Sequence, residues 1–495
     1  MSTLKKLASQ TAVYGLSSIL GRLLNYLLVP IHVSLFAPAE YGVISDFYAM
    51  VTFFAVLLTF GLETTYFRFI NKSENGEKTF NEIFSLVLII NGIFLLLILI
   101  FSQGVANLML YPEHQNVVIW FGFILVFDAT SSLLMAKLRN QNNAKKFALI
   151  HLASIGLNIF LNLLFIFYAK RQVDSGNTDG FAGMIYSPVI GIGYVFIANL
   201  CSSLIKPLLL YKELSTYKFT LSREQARVLL RFAAPLAIAG FAGMINEAID
   251  RPMLKYILYA KTNDLEFAKS QIGIYSANYK LSILITLFIQ AFRYAAEPFF
   301  FAQEKNENKS KVYSRVMTWF IIVVALMFIG VSLNLDIFKL FINNEAYWVG
   351  LKVVPILLLA NVFLGIYYNQ SIWYKLADRP MFGAYIAIGG AIITIVLNLA
   401  LIPFFGYVGS AWATLVVYFS MSVASWYLGQ KYYPIKYNLR KVLLYLAASI
   451  VLVLLGLLIQ GDNVTFNITI GLLFSAFFVG LVVFIERPLK ALRKQ

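Results

Sequence analysis

The sequence predicts an all-α integral membrane protein of about fourteen transmembrane helices, and three observations carry that reading. Of the 495 residues, 60% are hydrophobic and 13% charged, where a soluble domain has about a quarter charged; mean hydropathy is +0.75. Apolar runs of about 20 residues, the length a helix needs to cross a bilayer, recur along the whole chain. The connections between runs are alternately poor and rich in Lys and Arg, the pattern that orients membrane helices, and it sets both termini on the cytoplasmic side.

In order, the runs are 10–36, 42–67, 80–102, 116–136, 147–168, 184–205, 232–254, 272–297, 316–335, 353–374, 382–402, 408–429, 442–460 and 465–485. The outer connections 37–41, 103–115, 403–407 and 461–464 contain no Lys or Arg. Inner ones carry Arg68, Lys72 and Lys78, then Lys137, Arg139, Lys145 and Lys146, then Lys206, Lys212, Lys218, Arg223, Arg227 and Arg231. The connection 255–271 departs from the rule, falling outside although it holds Lys255, Lys261 and Lys269. Lys5 and Lys6 precede the first run, and no small-residue cleavage site follows, so that run reads as a retained helix. Pro30, Pro188, Pro235 and Pro355 lie within runs, where each frees a carbonyl for neighbours or water to satisfy.

Several function classes drop out at this level. The net charge of +16 follows from membrane topology, so no nucleic-acid partner is implied. Cys201 is a lone cysteine, and His32, His114 and His151 lack the spacing of a metal site. No Gly-rich loop ending in Lys-Ser/Thr is present to hold a nucleotide, and no cofactor is expected.

The chain also repeats itself. Gly42-Val-Ile-Ser45 is matched by Gly273-Ile-Tyr-Ser276, with Tyr48 and Tyr279 following at the same distance. Lys137-Leu138 matches Lys375-Leu376, Leu161-Asn162 matches Leu397-Asn398, and Gly180-Phe-Ala-Gly183 matches Gly406-Tyr-Val-Gly409. Shared order and offsets of about 226–238 residues favour duplication over chance. The expected organisation is a six-helix lobe over 1–218, a second over 219–436 as its parallel repeat, and two further helices with a basic tail over 437–495.

With these motifs in hand, the chain resembles a known family. Ser17-Ser-Ile-Leu-Gly-Arg22, Ala39-Glu-Tyr-Gly42 and Phe60-Gly-Leu-Glu-Thr-Thr-Tyr-Phe-Arg68 are similar to the polysaccharide transporter family of lipid-linked oligosaccharide flippases. So are Leu230-Arg-Phe-Ala-Ala-Pro235, Asp250-Arg251 and Gly273-Ile-Tyr275. That family belongs to the multidrug/oligosaccharidyl-lipid/polysaccharide exporter superfamily, with the drug extruders and lipid II flippases. The resemblance implies two lobes around a cavity that opens to each face in turn. It also implies a multi-pass protein of the inner (plasma) membrane. Its substrate would be a polyprenyl-diphosphate-linked glycan, a repeat unit of O-antigen, capsule or another surface polysaccharide, passed from the cytoplasmic to the outer leaflet. Membrane lipids, a coupling cation and a downstream polymerase or ligase are the further partners so implied.

Charges inside runs are costly, by roughly 2.5–3.5 kcal/mol on insertion scales, and usually face other helices or water. Arg22, with Ser18 and Asn25 on its helical face, is either a cavity cation for the diphosphate or the partner of a buried acid such as Asp128. Asp128 is in turn either an ion-coupling site or that partner. Glu247 and Arg251 stand one turn apart with Asp250 adjacent, as an outer-end network or as coupling and substrate contacts. Lys280 is the second expected cation for the head group. Glu63 and Arg68 close run two, Arg293 and Glu297 read as an i,i+4 structural pair, and Asp46 is expected to reach water. The rival readings are a lipid II flippase, a multidrug or cation antiporter and, more distantly, a membrane-embedded polysaccharide polymerase. The antiporter would favour buried acids over these cations. The polymerase would need a larger extramembrane region than the outer connections supply.

Overall fold

Residues 20–70, 73–304 and 307–486 are described by a computed structural model. They hold twelve helices long and apolar enough to cross a membrane, and two shorter apolar helices. In chain order these are α1 (Leu20–Leu35), α2 (Pro38–Ile70), α3 (Gly76–Leu108), α4 (Pro112–Asn140), α5 (Ala144–Asp174), α6 (Gly193–Leu209) and α7 (Arg223–Ala248). There follow α8 (Leu265–Phe301), α9 (Lys309–Ser332), α10 (Glu345–Leu376), α11 (Met381–Phe405), α12 (Tyr407–Tyr432), α13 (Leu439–Ile459) and α14 (Val464–Glu486). The protein is a multi-pass, all-helical membrane protein; α1 and α6 are the two shorter helices.

Local chemistry explains where the helices differ from the apolar runs. Within α1 the helix breaks at Leu27 and restarts at Val29 with Pro30 in its first turn, a position that needs no amide hydrogen. Pro235 stays inside α7. The expected run 184–205 is interrupted after the short helix Phe181–Ile185 and resumes as a helix at Gly193, because Pro188 and Gly191, with φ of +49°, hold the segment between out of the helix. The expected connection 255–271 is mostly helical, formed by Asp250–Thr262 and the first turns of α8. Only Asn263 and Asp264 interrupt it, and Asp264 accepts a hydrogen bond from the Phe267 amide as the N-cap.

Two compact units divide the chain. The first comprises the described residues to Phe36 and Val43–Pro252, and the second comprises Ala37–Gly42 and the chain from Met253 onward. In the first unit α3 packs on α4, and α6 packs on both α4 and α5. In the second, α9 packs on α10, and α12 packs on both α10 and α11, so the same pairings recur six helices on. Helices α13 and α14 both lie against α9.

Within the second unit the start of α2 crosses the start of α8, backbone against backbone. A Cβ on Gly42 would sit 2.0 Å from the Lys269 carbonyl oxygen, and one on Gly273 would sit 1.8 Å from that of Pro38. The contact is reciprocal: each glycine makes room for the carbonyl four residues before the other. These are the two glycines that the sequence match sets in equivalent positions.

Candidate functional site

The first unit draws charged and polar side chains from α1, α2, α4, α5 and α6 into one cluster. Its centre is an ion pair in which the Lys206 ammonium donates to the Asp128 carboxylate at 2.8 Å, linking α6 to α4. His151 on α5 lies within electrostatic reach of Lys206, Asp128 and Arg22. Gly21 brings α1 in: a Cβ there would sit 2.5 Å from Ile155 Cδ1 and 3.1 Å from His151 Nε2, so a larger residue would have to displace the end of the Ile155 side chain. On the next residue Arg22 is exposed rather than packed into the unit. Asn158 donates to Asn25 at 3.3 Å across the same helix pair. On the other flank Asn199 of α6 donates to the Tyr48 hydroxyl at 3.2 Å, and Tyr48 lies within reach of Asp128.

This geometry can attract an anion. Arg22 and Lys206 outnumber Asp128 by one positive charge, and His151 adds a second on protonation. Because Lys206 already neutralises Asp128, Arg22 keeps its charge for another partner. No group of three or more His, Cys, Asp or Glu able to hold a metal occurs among the described residues.

Residues 7–303 match the family described as polysaccharide biosynthesis protein. The chain belongs to that family. Among curated proteins no significant match is found. The fold of this family member is similar to that of the lipid II flippase MurJ in an inward closed conformation, with a TM-score of 0.72 at 14% identity over 94% of this chain and 98% of MurJ. It is also similar to an inward-facing multidrug resistance transporter of the MATE family in the MOP superfamily, with a TM-score of 0.63 at 15% identity over 83% and 94%. The Vibrio cholerae MATE transporter VcmN in its bent form matches with a TM-score of 0.51 at 14% identity over 90% and 100%.

The other expected residues are distributed differently. Asp128 takes Lys206 as its ion-pair partner, where the sequence had offered Arg22. Arg251 donates to the Asp250 carboxylate at 2.8 Å and to the Glu247 backbone carbonyl at 2.7 Å. The expected carboxylate partner, Glu247, is exposed, and the guanidinium takes the neighbouring Asp250 carboxylate instead. Glu63 accepts from Arg139 at 2.6 Å, and Arg68 lies 4.4 Å over the Phe232 ring. Lys280 is half-buried on α8 in the second unit. Arg293 and Glu297 do not pair with each other: Glu297 accepts from Lys375 at 2.6 Å, and Arg293 lies 4.2 Å over the Tyr368 ring. Asp46, expected to be solvated, is fully buried and accepts from the Tyr111 hydroxyl at 2.9 Å.

Sequence reasoning missed Lys206 and His151. Lys206 fell one residue past the apolar run, and the three histidines were weighed only as metal ligands. A signal was available for Lys206, since it is the first basic residue after a run and its long stem can lie along apolar surface.

Proposed function

We propose that the protein is a flippase that moves a polyprenyl-diphosphate-linked oligosaccharide from the cytoplasmic to the outer leaflet of the inner (plasma) membrane by alternating access. The observation that carries this reading is the cationic cluster of the first unit, in a member of a polysaccharide biosynthesis family. A diphosphate entering a region of low dielectric needs compensating charge, and guanidinium and ammonium groups supply it through charge-assisted hydrogen bonds. Arg22 is the first such contact and Lys206 the second, with Arg251 in the first unit and Lys280 in the second as further candidate cations. Asp128 holds Lys206 in place; Glu63, Glu247 and Asp250 serve as structural or ion-coupling acids. The prenyl tail stays in lipid while the head group crosses. The directional bias comes from an ion gradient or from a polymerase or ligase that consumes the product.

A lipid II flippase is the second reading, favoured by the similarity to MurJ over nearly the full length of both chains. A carrier of cationic drugs is disfavoured by Asp128, the acid such a substrate would seek, because Lys206 already occupies it.

The test is mass spectrometry of polyprenyl-linked glycans in cells depleted of the protein, with and without a restoring copy. Accumulation of a glycan diphosphate lipid that clears on restoration supports the reading, and its mass separates a surface-polysaccharide unit from lipid II. No accumulation overturns both. In the same assay Arg22→Ala is expected to abolish restoration at unchanged membrane abundance; a loss of abundance instead makes Arg22 structural.

A further inference from the structure

A cavity of about 200 Å³ opens in the second unit between the start of α9 and the segment that follows α12, walled by Lys309, Ser310, Tyr313, Tyr433, Pro434 and Ile435. One water needs only about 10–15 Å³ on this measure, so the space suits a molecular head group rather than a single ion. Lys309 is the first residue of α9 and Tyr432 the last of α12, which puts the walls where the spanning helices end.

The frame around the cavity is fixed by hydrogen bonds. The Lys436 amide donates to Ser310 Oγ at 3.0 Å, the Asn438 amide to Ser314 Oγ at 3.1 Å, and the Tyr313 hydroxyl to the Phe300 carbonyl at 3.0 Å. The charge on the two wall segments is positive. Lys309 stands 5.5 Å from the Tyr433 ring centre, and Lys311, Arg315, Lys431, Lys436 and Arg440 lie on the segments 309–315 and 431–440, neither of which contains an acid; Glu307 lies just before them. Glu304, just before α9, is the acid within electrostatic reach of Tyr313. The Tyr433 hydroxyl is shielded from solvent and has no hydrogen-bond partner among the described residues.

We propose that this cavity seats the phosphate head group of an anionic phospholipid of the cytoplasmic leaflet. Lys309 faces the phosphate, and Tyr313, Tyr433 and Ile435 line the glycerol. Basic pockets between helix ends on the cytoplasmic face are suited to this chemistry, and the site is independent of the transported substrate.

Native mass spectrometry of the purified full chain in detergent tests it, with phosphatidylglycerol and phosphatidylcholine as competing probes. The wild type is expected to retain phosphatidylglycerol preferentially. Lys309→Gln should lower that preference about fivefold, the loss of roughly one lysine at an anionic surface. Lys339→Gln, outside the cavity, should leave it unchanged. An unchanged preference in Lys309→Gln at unaltered melting temperature overturns the assignment. Displacement of the lipid by millimolar inorganic phosphate, or by a polyprenyl diphosphate, also overturns it, in favour of a free-phosphate or a substrate site.

Discussion

The same helix pair is built differently in the two units. Where α6 meets α4 in the first, the contact carries the Asp128–Lys206 ion pair; where α12 meets α10 in the second, Tyr367, Leu415, Tyr418 and Met421 form an apolar cluster with Ala360. The crossing therefore folds without charge. Exchanging a partly buried ion pair for apolar packing is often neutral or stabilising, so stability does not require the pair in the first unit. Other polar contacts recur in both. Asn162 and Asn398, each buried, donate to the carbonyl four residues back at 2.8 Å. Glu63–Arg139 and Glu297–Lys375 each tie the second helix of a repeat to the end of its fourth at 2.6 Å. Contacts found in both units read as scaffold, and the Asp128–Lys206 pair is among those confined to the first.

The strongest way to break this contrast is to give the first unit the second unit's chemistry. Asp128→Leu with Lys206→Met is expected to keep membrane abundance while restoration of glycan export falls to background. Retained export would show that the charged crossing is scaffold after all. Asp128→Ala alone should lower abundance more than the double change, since it strands the ammonium.

The next effect is steric. Gly42→Val and Gly273→Val each force a side chain into a carbonyl, and overpacking of this kind costs about 1–3 kcal/mol or more. Both variants should lose abundance to a similar degree on immunoblots of membranes; a tolerated valine at either position would remove the close crossing. Smaller again are Asn162→Ala and Asn398→Ala. Each removes the oxygen that accepts from a partner donor, His32 Nε2–H or Ser410 Oγ–H respectively, for about 1–3 kcal/mol. Matching shifts in melting temperature would place both in the scaffold. Least of all should be Glu63→Gln and Glu297→Gln, whose carboxylates are 40% and 43% exposed, because such pairs contribute about 0–1 kcal/mol. Export and abundance both near wild type is the expected result.

Much of the fold was legible because lipid imposes a length and composition on every spanning helix, and the apolar runs record both. The charged candidates were legible too, as costly exceptions within those runs. Their partners were not. Spacing along one helix offered Glu297 to Arg293 and Glu247 to Arg251. Tertiary approach instead gave Glu297 to Lys375, 78 residues away, and Arg251 pairs with its chain neighbour Asp250. Asp46 was assigned to water from its place near a helix end, yet Tyr111, 65 residues on, covers it. Lys206 was lost to a boundary drawn by hydropathy, which does not see that a helix continues to Leu209.

The crossing of Gly42 and Gly273 has a genetic consequence. An oversized side chain in a core can be rescued by trimming its neighbour, so suppressors of such mutations are common. Here the obstacle at each position is a main-chain oxygen, of Lys269 or of Pro38, which no substitution removes. A screen for second-site revertants of a bulky residue at either glycine should therefore return true revertants, or changes that shift a whole helix, and no compensating residue at the contact itself.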